Sequence, residues 1–305
     1  MKLIVQPDAG VVPVVQAIRK AKKAIDVCIF RFDIEEIERA LAAAVQRGVR
    51  VRALIAHTNR GGEARLRKLE LRLLAAGLTV SRTADDLLRY HAKYMIADDT
   101  LHLFGFNLTK TDILKSRSFA VATRDRHAVS EALKLFEADA TRQTYKPSAS
   151  NLVVSPDTAR ATLAAFIKGA RRELAIYDTK IYDPAFVKLL KDRAAKGVTI
   201  RVIGSVKKAN GNFEVRPLKP LRLHVRAIIR DGTRAFVGSQ SLKKEELDSR
   251  REVGVLVNNP TVTRKLMQVF EQDWADSAGK EEKKVEEKNG KEDKREEAKK
   301  ETAIA

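Results

Sequence analysis

Most of the chain is written twice, and that duplication limits the fold more than any single motif. "AKKAIDVCIFRFDIEEIERALAAAVQRGVRVRALI", from Ala21, and "ARRELAIYDTKIYDPAFVKLLKDRAAKGVTIRVIG", from Ala170, align at a constant offset of 149. That alignment places Ala21 on Ala170, Gly48 on Gly197, Val49 on Val198 and Arg52 on Arg201. Each copy reads as strand, helix, strand. The apolar run Ile25 to Phe30 predicts a buried strand. Ile37, Leu41 and Val45 then recur at i, i+4 and i+8 on one helical face, with Asp33 expected as the N-cap. In the second copy Asp183-Pro184 supplies N-cap and first helical residue, and Gly48 and Gly197 mark the helix ends. Strand–helix–strand units with continuous apolar strands predict an α/β fold. The expected architecture is two duplicated α/β domains, each a mixed β-sheet flanked by helices, related by a pseudo-twofold. Residues 1–148 and 149–277 are the expected domains. The first carries an additional helix, "EARLRKLELRLLAAG", with Leu66, Leu69 and Leu73 on one face.

A second repeated segment carries the chemistry. "HAKYMIADDTLHLFGFN" from His91 matches "HVRAIIRDGTRAFVGSQ" from His224, now at an offset of 133. The pairs His91/His224, Ile96/Ile229, Asp98/Asp231, Thr100/Thr233 and Gly105/Gly238 are identical, and Lys93/Arg226 is a cation in both. The "DDT" and "DGT" turns make each copy a β-hairpin. On a strand, His91 and Lys93 share a face, as do His224 and Arg226, so each pair can address one anion. A glycine followed two residues on by an amide, Gly105/Asn107 and Gly238/Gln240, closes each hairpin. If the halves pack about a twofold, these groups converge on one tetrahedral oxyanion such as phosphate. One histidine then attacks phosphorus while the other protonates the leaving oxygen.

Charge agrees with an anionic target. The net charge is +19 over 305 residues, and the tail from 278 to 305 holds nine basic and nine acidic residues. The excess therefore lies on residues 1–277, which are expected to attract nucleic acid or an anionic lipid surface. The tail cannot bury a core and is expected to be disordered. Cys28, in "AIDVCIF", reads as a buried hydrophobe in a reducing compartment. With neither a secretory leader nor a membrane span in the sequence, the expected location is the cytoplasm. No His/Cys cluster has metal-ligand spacing, and no cofactor is expected. His57 reads as a loop residue, His102 and His127 as surface residues, and Gly61-Gly62 is too short for a phosphate loop.

His91-x-Lys93-x4-Asp98 with Gly105-x-Asn107 resembles the HxKxxxxD signature of the phospholipase D superfamily. His224-x-Arg226-x4-Asp231 with Gly238-Ser239-Gln240 resembles its second copy. The likeness covers residues 10 to 275, and its layout is most similar to cardiolipin-synthase-like members. It implies one active site shared by the two halves, metal-free, acting through a covalent phosphohistidine. His91, Lys93, Asn107, His224, Arg226 and Gln240 would be its catalytic groups, and Asp98 and Asp231 supporting ones. The family also places a carboxylate after each motif to hold its histidine. Glu252 in "RREVGVLV" is that group in the second copy, and Phe119 stands at the equivalent position of the first. The expectation is therefore that Glu252 holds His224 as the acid and leaves His91 neutral as the nucleophile.

The implied function is a phospholipase D-type phosphodiesterase or phosphatidyltransferase acting on a phospholipid headgroup, peripheral to an anionic membrane. A nuclease or DNA-repair phosphodiesterase fits the basic core equally. A non-catalytic phosphate-binding module is the third reading, prompted by Arg226, Gln240 and Phe119.

Overall fold

The apolar runs that the repeat singled out become paired strands in a computed structural model, which describes residues 1–59, 62–207 and 213–277. Gly61 and the charged tail lie outside the described residues. The first half supplies β1 (Lys2–Gln6), β2 (Ala24–Ile29), β3 (Arg50–Ile55), β4 (Thr79–Arg82), β5 (Arg89–Tyr90), β6 (Tyr94–Ala97), β7 (Thr100–Phe104) and β8 (Ser116–Thr123). The second supplies β9 (Leu152–Ser155), β10 (Glu173–Ile181), β11 (Thr199–Val206), β12 (Glu214–Arg216), β13 (Arg222–Leu223), β14 (Arg226–Arg230), β15 (Arg234–Gly238) and β16 (Arg250–Val257). The sheet orders are β1-β8-β7-β6-β2-β3-β4 and β12-β11-β10-β14-β15-β16-β5, with β13 added to β8 and β9 to β16. Both sheets are mixed and flanked by helices, as the duplication predicts.

Two short strands are exchanged between the halves. β5, just before His91, pairs in parallel with β16 of the second half, and β13, just before His224, pairs in parallel with β8 of the first. Each histidine is thus delivered by its own chain segment to the last strand of the opposite sheet. Reciprocal ion pairs fasten the same interface. Arg117 on β8 grips Asp273 of the helix Pro260–Ser277 at 2.8 and 3.0 Å and donates to the Gln6 carbonyl. Arg251 on β16 grips Asp139 of the helix Arg126–Thr141 at 3.1 Å and donates to the Ser155 carbonyl. Where the ends of β7 and β15 meet, a Cβ on Gly105 would lie 2.9 Å from the Phe119 carbonyl and 3.2 Å from that of Gly238. Only glycine permits that approach.

Local expectations fared unevenly. Asp183 caps the helix Pro184–Ala194 by accepting from the Ala185 and Phe186 amides, and Gly48 and Gly197 end their helices at φ +82°. Leu66, Leu69 and Leu73 are buried on the helix Glu63–Ala75. Asp33 is not an N-cap: Ile34 holds that place before Glu35–Gln46, and Asp33 accepts from the Lys110 amide instead. His102 is buried rather than superficial, because β7 lies inside the sheet between β6 and β8 with both faces covered. Cys28 is buried, its Sγ 3.5 Å from the Ala92 carbonyl, and burial pushes its thiol pKa up, as an inert hydrophobe requires. Among the described residues, no helix is long and apolar enough to cross a membrane.

The hairpin turns correct the alignment of the two copies. Ala97 faces Thr100 across the first turn, whereas Arg230 faces Arg234 across the second. One extra residue therefore enters at Gly232–Thr233, and every later equivalence moves from an offset of 133 to 134. The turn aspartates are structural. Asp98, at φ +53°, accepts the amides of Lys22, Lys23 and Ala24 at 2.8 to 3.0 Å. Asp231, also at φ +53°, accepts those of Arg171, Arg172 and Glu173. Each clamps the start of a central strand, and the bonds to these amides hold both carboxyls below their ordinary pKa against the opposing effect of burial. Asp98→Ala is expected to lose ~2 kcal/mol of stability, the scale of hydrogen bonds to a charged acceptor. Its kcat should stay close to wild type, which chemical denaturation and steady-state rates measured side by side would check.

Candidate active site

The exchange of β5 and β13 decides which side chains meet. β5 runs beside β16 with Arg89 opposite Arg250 and Tyr90 opposite Arg251, so the next residue, His91, arrives opposite Glu252. The His91 amide donates to the Arg251 carbonyl at 2.7 Å. Its Nδ1 lies 2.8 and 2.9 Å from the two oxygens of Glu252, which is fully buried. Glu252 thus holds His91 of the opposite half and not His224, correcting the pairing read from sequence. In the mirror arrangement β13 sets Leu223 opposite Arg117, and His224 arrives opposite Ser118, whose Oγ donates to the His224 carbonyl at 3.4 Å. Ser118 is therefore the counterpart of Glu252. Phe119, one residue on, is a core side chain packed edge-on to Tyr177 at 5.5 Å.

The same one-residue shift replaces Gln240. The Asn107 amide donates to Asp112 and its carbonyl accepts from Thr109. The Ser241 amide donates to Glu246 and its carbonyl accepts from Lys243. Ser241 is thus the equivalent of Asn107. Gln240 turns into the sheet, where its Nε2 donates to the Val153 carbonyl at 2.9 Å. The Ser241 Oγ instead accepts from Arg226 Nε at 3.1 Å, holding the guanidinium with a buried Nη1 that has no partner among the described residues.

Asp112 was not singled out in the sequence. It sits on the short helix Lys110–Leu114, 3 % exposed, with Oδ2 3.6 Å from His224 Nδ1. Asn107 donates to it through both its amide and its Nδ2, at 3.0 and 2.6 Å, and Arg222 through Nη1 at 2.7 Å. An alignment that opened a gap at the Asp-Gly turn would have paired Asp112 with Glu246 and marked both.

Electrostatically this is one cluster. Burial lowers both imidazole pKa values well below the usual 6.5, and the charges of Lys93 and Arg226 act on each of them in the same direction. Both shifts favour the neutral ring. With Glu252 ionised, the Nδ1–H of His91 donates to it and leaves the Nε2 lone pair free. Lys93 is 3 % exposed, with Nζ 5.1 Å from the Phe30 ring centre. Burial brings its ammonium down to about 7 despite the opposing pull of Glu252. Glu252 itself is pushed up to about 7 by burial. Lys93 Nζ donates to the His91 carbonyl, and together with the Arg226 guanidinium it makes this cluster suited to an anion. Asp98 and Asp231 lie at the far ends of their hairpins, apart from this cluster. His57 and His127 are exposed and belong to no part of it. Among the described residues no group of three or more His, Cys, Asp or Glu is placed to hold a metal ion.

Comparisons with known proteins bear on the family and the fold. A family model described as "Cardiolipin synthase, PLD-like domain" matches residues 14–140 and 163–274. A polyphosphate kinase from Porphyromonas gingivalis is similar in fold, with a TM-score of 0.74 at 19% identity over 90% of this chain. This chain spans 50% of that kinase's length. A phosphatidylserine synthase from Haemophilus influenzae Rd KW20 gives a TM-score of 0.69 at 12% identity, over 90% of this chain and 85% of its own. No curated protein sequence matches.

Proposed function

Because the chain belongs to the cardiolipin synthase PLD-like domain family, we propose that it is a phospholipase D-type phosphodiesterase or phosphatidyltransferase working through a phosphohistidine. The observation that carries this reading is His91, held toward its neutral form and fixed through Nδ1 on buried Glu252, beside the cations Lys93 and Arg226. In the first step the Nε2 lone pair of His91 attacks phosphorus, an N–P bond forms, and the P–O bond to the leaving alcohol breaks. That oxygen takes its proton from Nε2 of His224, which enters the step doubly protonated, its positive ring favoured by the negative charge of the bound phosphodiester, and leaves it neutral. In the second step water or an acceptor alcohol attacks phosphorus, the N–P bond breaks, and the proton released returns to His224. Lys93, Arg226 and Asn107 stabilise charge on the non-bridging oxygens in both transition states. Asp98, Asp231 and Gln240 have no part in this scheme.

The decisive experiment offers the protein vesicles of phosphatidylglycerol or phosphatidylcholine, and separately plasmid DNA, in the presence of EDTA. Headgroup release or exchange is the expected result. Plasmid cutting in place of lipid turnover would make it a nuclease of the same family, and binding without turnover a non-catalytic phosphate-binding module.

Lys93 gives the alkaline limb of the pH dependence, and Glu252, a required carboxylate pushed up to about 7, the acid limb. An ammonium that loses its proton near 7 leaves the free enzyme weaker as pH rises, so kcat/KM should fall through about pH 7. A bound phosphodiester adds negative charge beside Lys93 and raises its pKa, so the fall in kcat should lie at higher pH. Lys93→Arg, which stays charged, should flatten the alkaline limb of kcat/KM.

A further inference from the structure

We propose that Asp112 is the positioning residue of His224, having taken over from Ser118 the task that Glu252 performs for His91; the proposal rests on the two-step reading above. The halves are duplicated in their strand exchange, so the position opposite each histidine is equivalent: Glu252 for His91, Ser118 for His224. Ser118 is buried and neutral, and its Oγ donates to the main-chain carbonyl of His224. Among the described residues, His224 Nδ1 is buried with no hydrogen-bond partner, and the carboxylate at ion-pair range is Asp112, 3.6 Å away. Asp112 comes from a different element, the helix after Asn107, but from the same opposite half as Ser118.

Its surroundings keep it ionised and aimed. Asn107 donates twice to Oδ2, Arg222 donates to Oδ1, and Thr109 caps the helix by accepting from the Asp112 amide. Burial opposes the charge, but His224 and these donors prevail and hold the carboxyl pKa below its ordinary value. Arg222 lies two residues before His224, so strand β13 brings in both the histidine and the guanidinium that steadies its carboxylate. The Coulomb attraction of Asp112 opposes the depression of the His224 pKa caused by burial, Arg226, Lys93 and Arg222. When His224 carries two protons, Nδ1–H faces Asp112 and Nε2–H faces the leaving oxygen. In that state the 3.6 Å separation closes to a hydrogen bond. The site thus holds its two histidines by different means. The bond to Glu252 fixes the tautomer of His91, and the longer contact with Asp112 supports the charged form of His224.

The test is Asp112→Asn, compared with Asp112→Glu, in the full chain. An acid is needed for an alkyl leaving group and not for p-nitrophenolate. The kcat/KM of Asp112→Asn should therefore fall about 100-fold toward a phospholipid and by much less toward bis(p-nitrophenyl) phosphate. Equal losses on both substrates would make Asp112 a structural residue and overturn the proposal. A second measurement does not depend on turnover. In the 15N-histidine NMR titration, the His224 signal, identified by its loss in His224→Gln, should shift its midpoint to lower pH in Asp112→Asn and recover in Asp112→Glu. An unchanged midpoint overturns the proposal even if the protein proves to have another substrate. A wild-type protein that turns over neither ester, but shows the shift, overturns the two-step reading alone.

Discussion

His91→Asn is expected to abolish turnover, with kcat down by at least ~10⁴-fold, the scale seen when a covalent nucleophile is removed. His91 Nδ1 is occupied by Glu252, so Nε2 is the atom left to bond phosphorus, and an asparagine amide offers no comparable lone pair. Asparagine still fits the space and can donate to Glu252, so the fold should survive. Intact-mass measurement after acid-free quenching should find a phosphoramidate adduct on the wild-type protein and none on His91→Asn. His224→Asn should still form the adduct from an activated ester, where no acid is needed, and then release it slowly. An adduct that persists in His91→Asn and maps to His224 would reverse the two roles.

Glu252→Gln should lower kcat by ~10³-fold with little effect on folding. Carboxylates behind catalytic histidines act by fixing the tautomer and stabilising the positive ring, and their loss in other enzymes costs ~10⁴ in kcat. Glu252 is fully buried, and both of its oxygens lie within 3 Å of His91 Nδ1. A glutamine there can present its own N–H₂ to Nδ1. That forces the proton onto Nε2 and blocks the attacking lone pair. The rate of adduct formation should fall, and the rate of adduct breakdown should change less. If Glu252→Gln slowed both steps equally, the carboxylate would be serving the whole cluster and not His91 in particular.

Both predictions rest on a residue the sequence identified but assigned to the wrong histidine. The reason is a single inserted residue. Thr100 on Thr233 and Gly105 on Gly238 are identities at an offset of 133, and they favour an ungapped alignment. The buried faces tell otherwise. Leu101 and Leu103 share their inward direction with Ala235 and Val237, an offset of 134, because a strand's period of two shifts its faces when one residue is added. That slip alone made Phe119 look like a lost carboxylate, gave Gln240 the place of Ser241 and hid Asp112 and Glu246.

What the amino-acid order determined by itself was everything carried by local pattern. The duplication, the alternation of strands and helices, the extra helix of the first half and the two histidine–cation pairs all follow from periodicity and spacing within short windows. The approach of the two halves does not. Two-residue strands such as β5 and β13 are too short to leave a pattern, yet they set the register in which His91 meets Glu252 and His224 meets Ser118. Hydrogen bonding between segments more than 100 residues apart fixes that register. The pairing of each imidazole with its carboxylate is therefore a property of the packed halves and of neither motif alone.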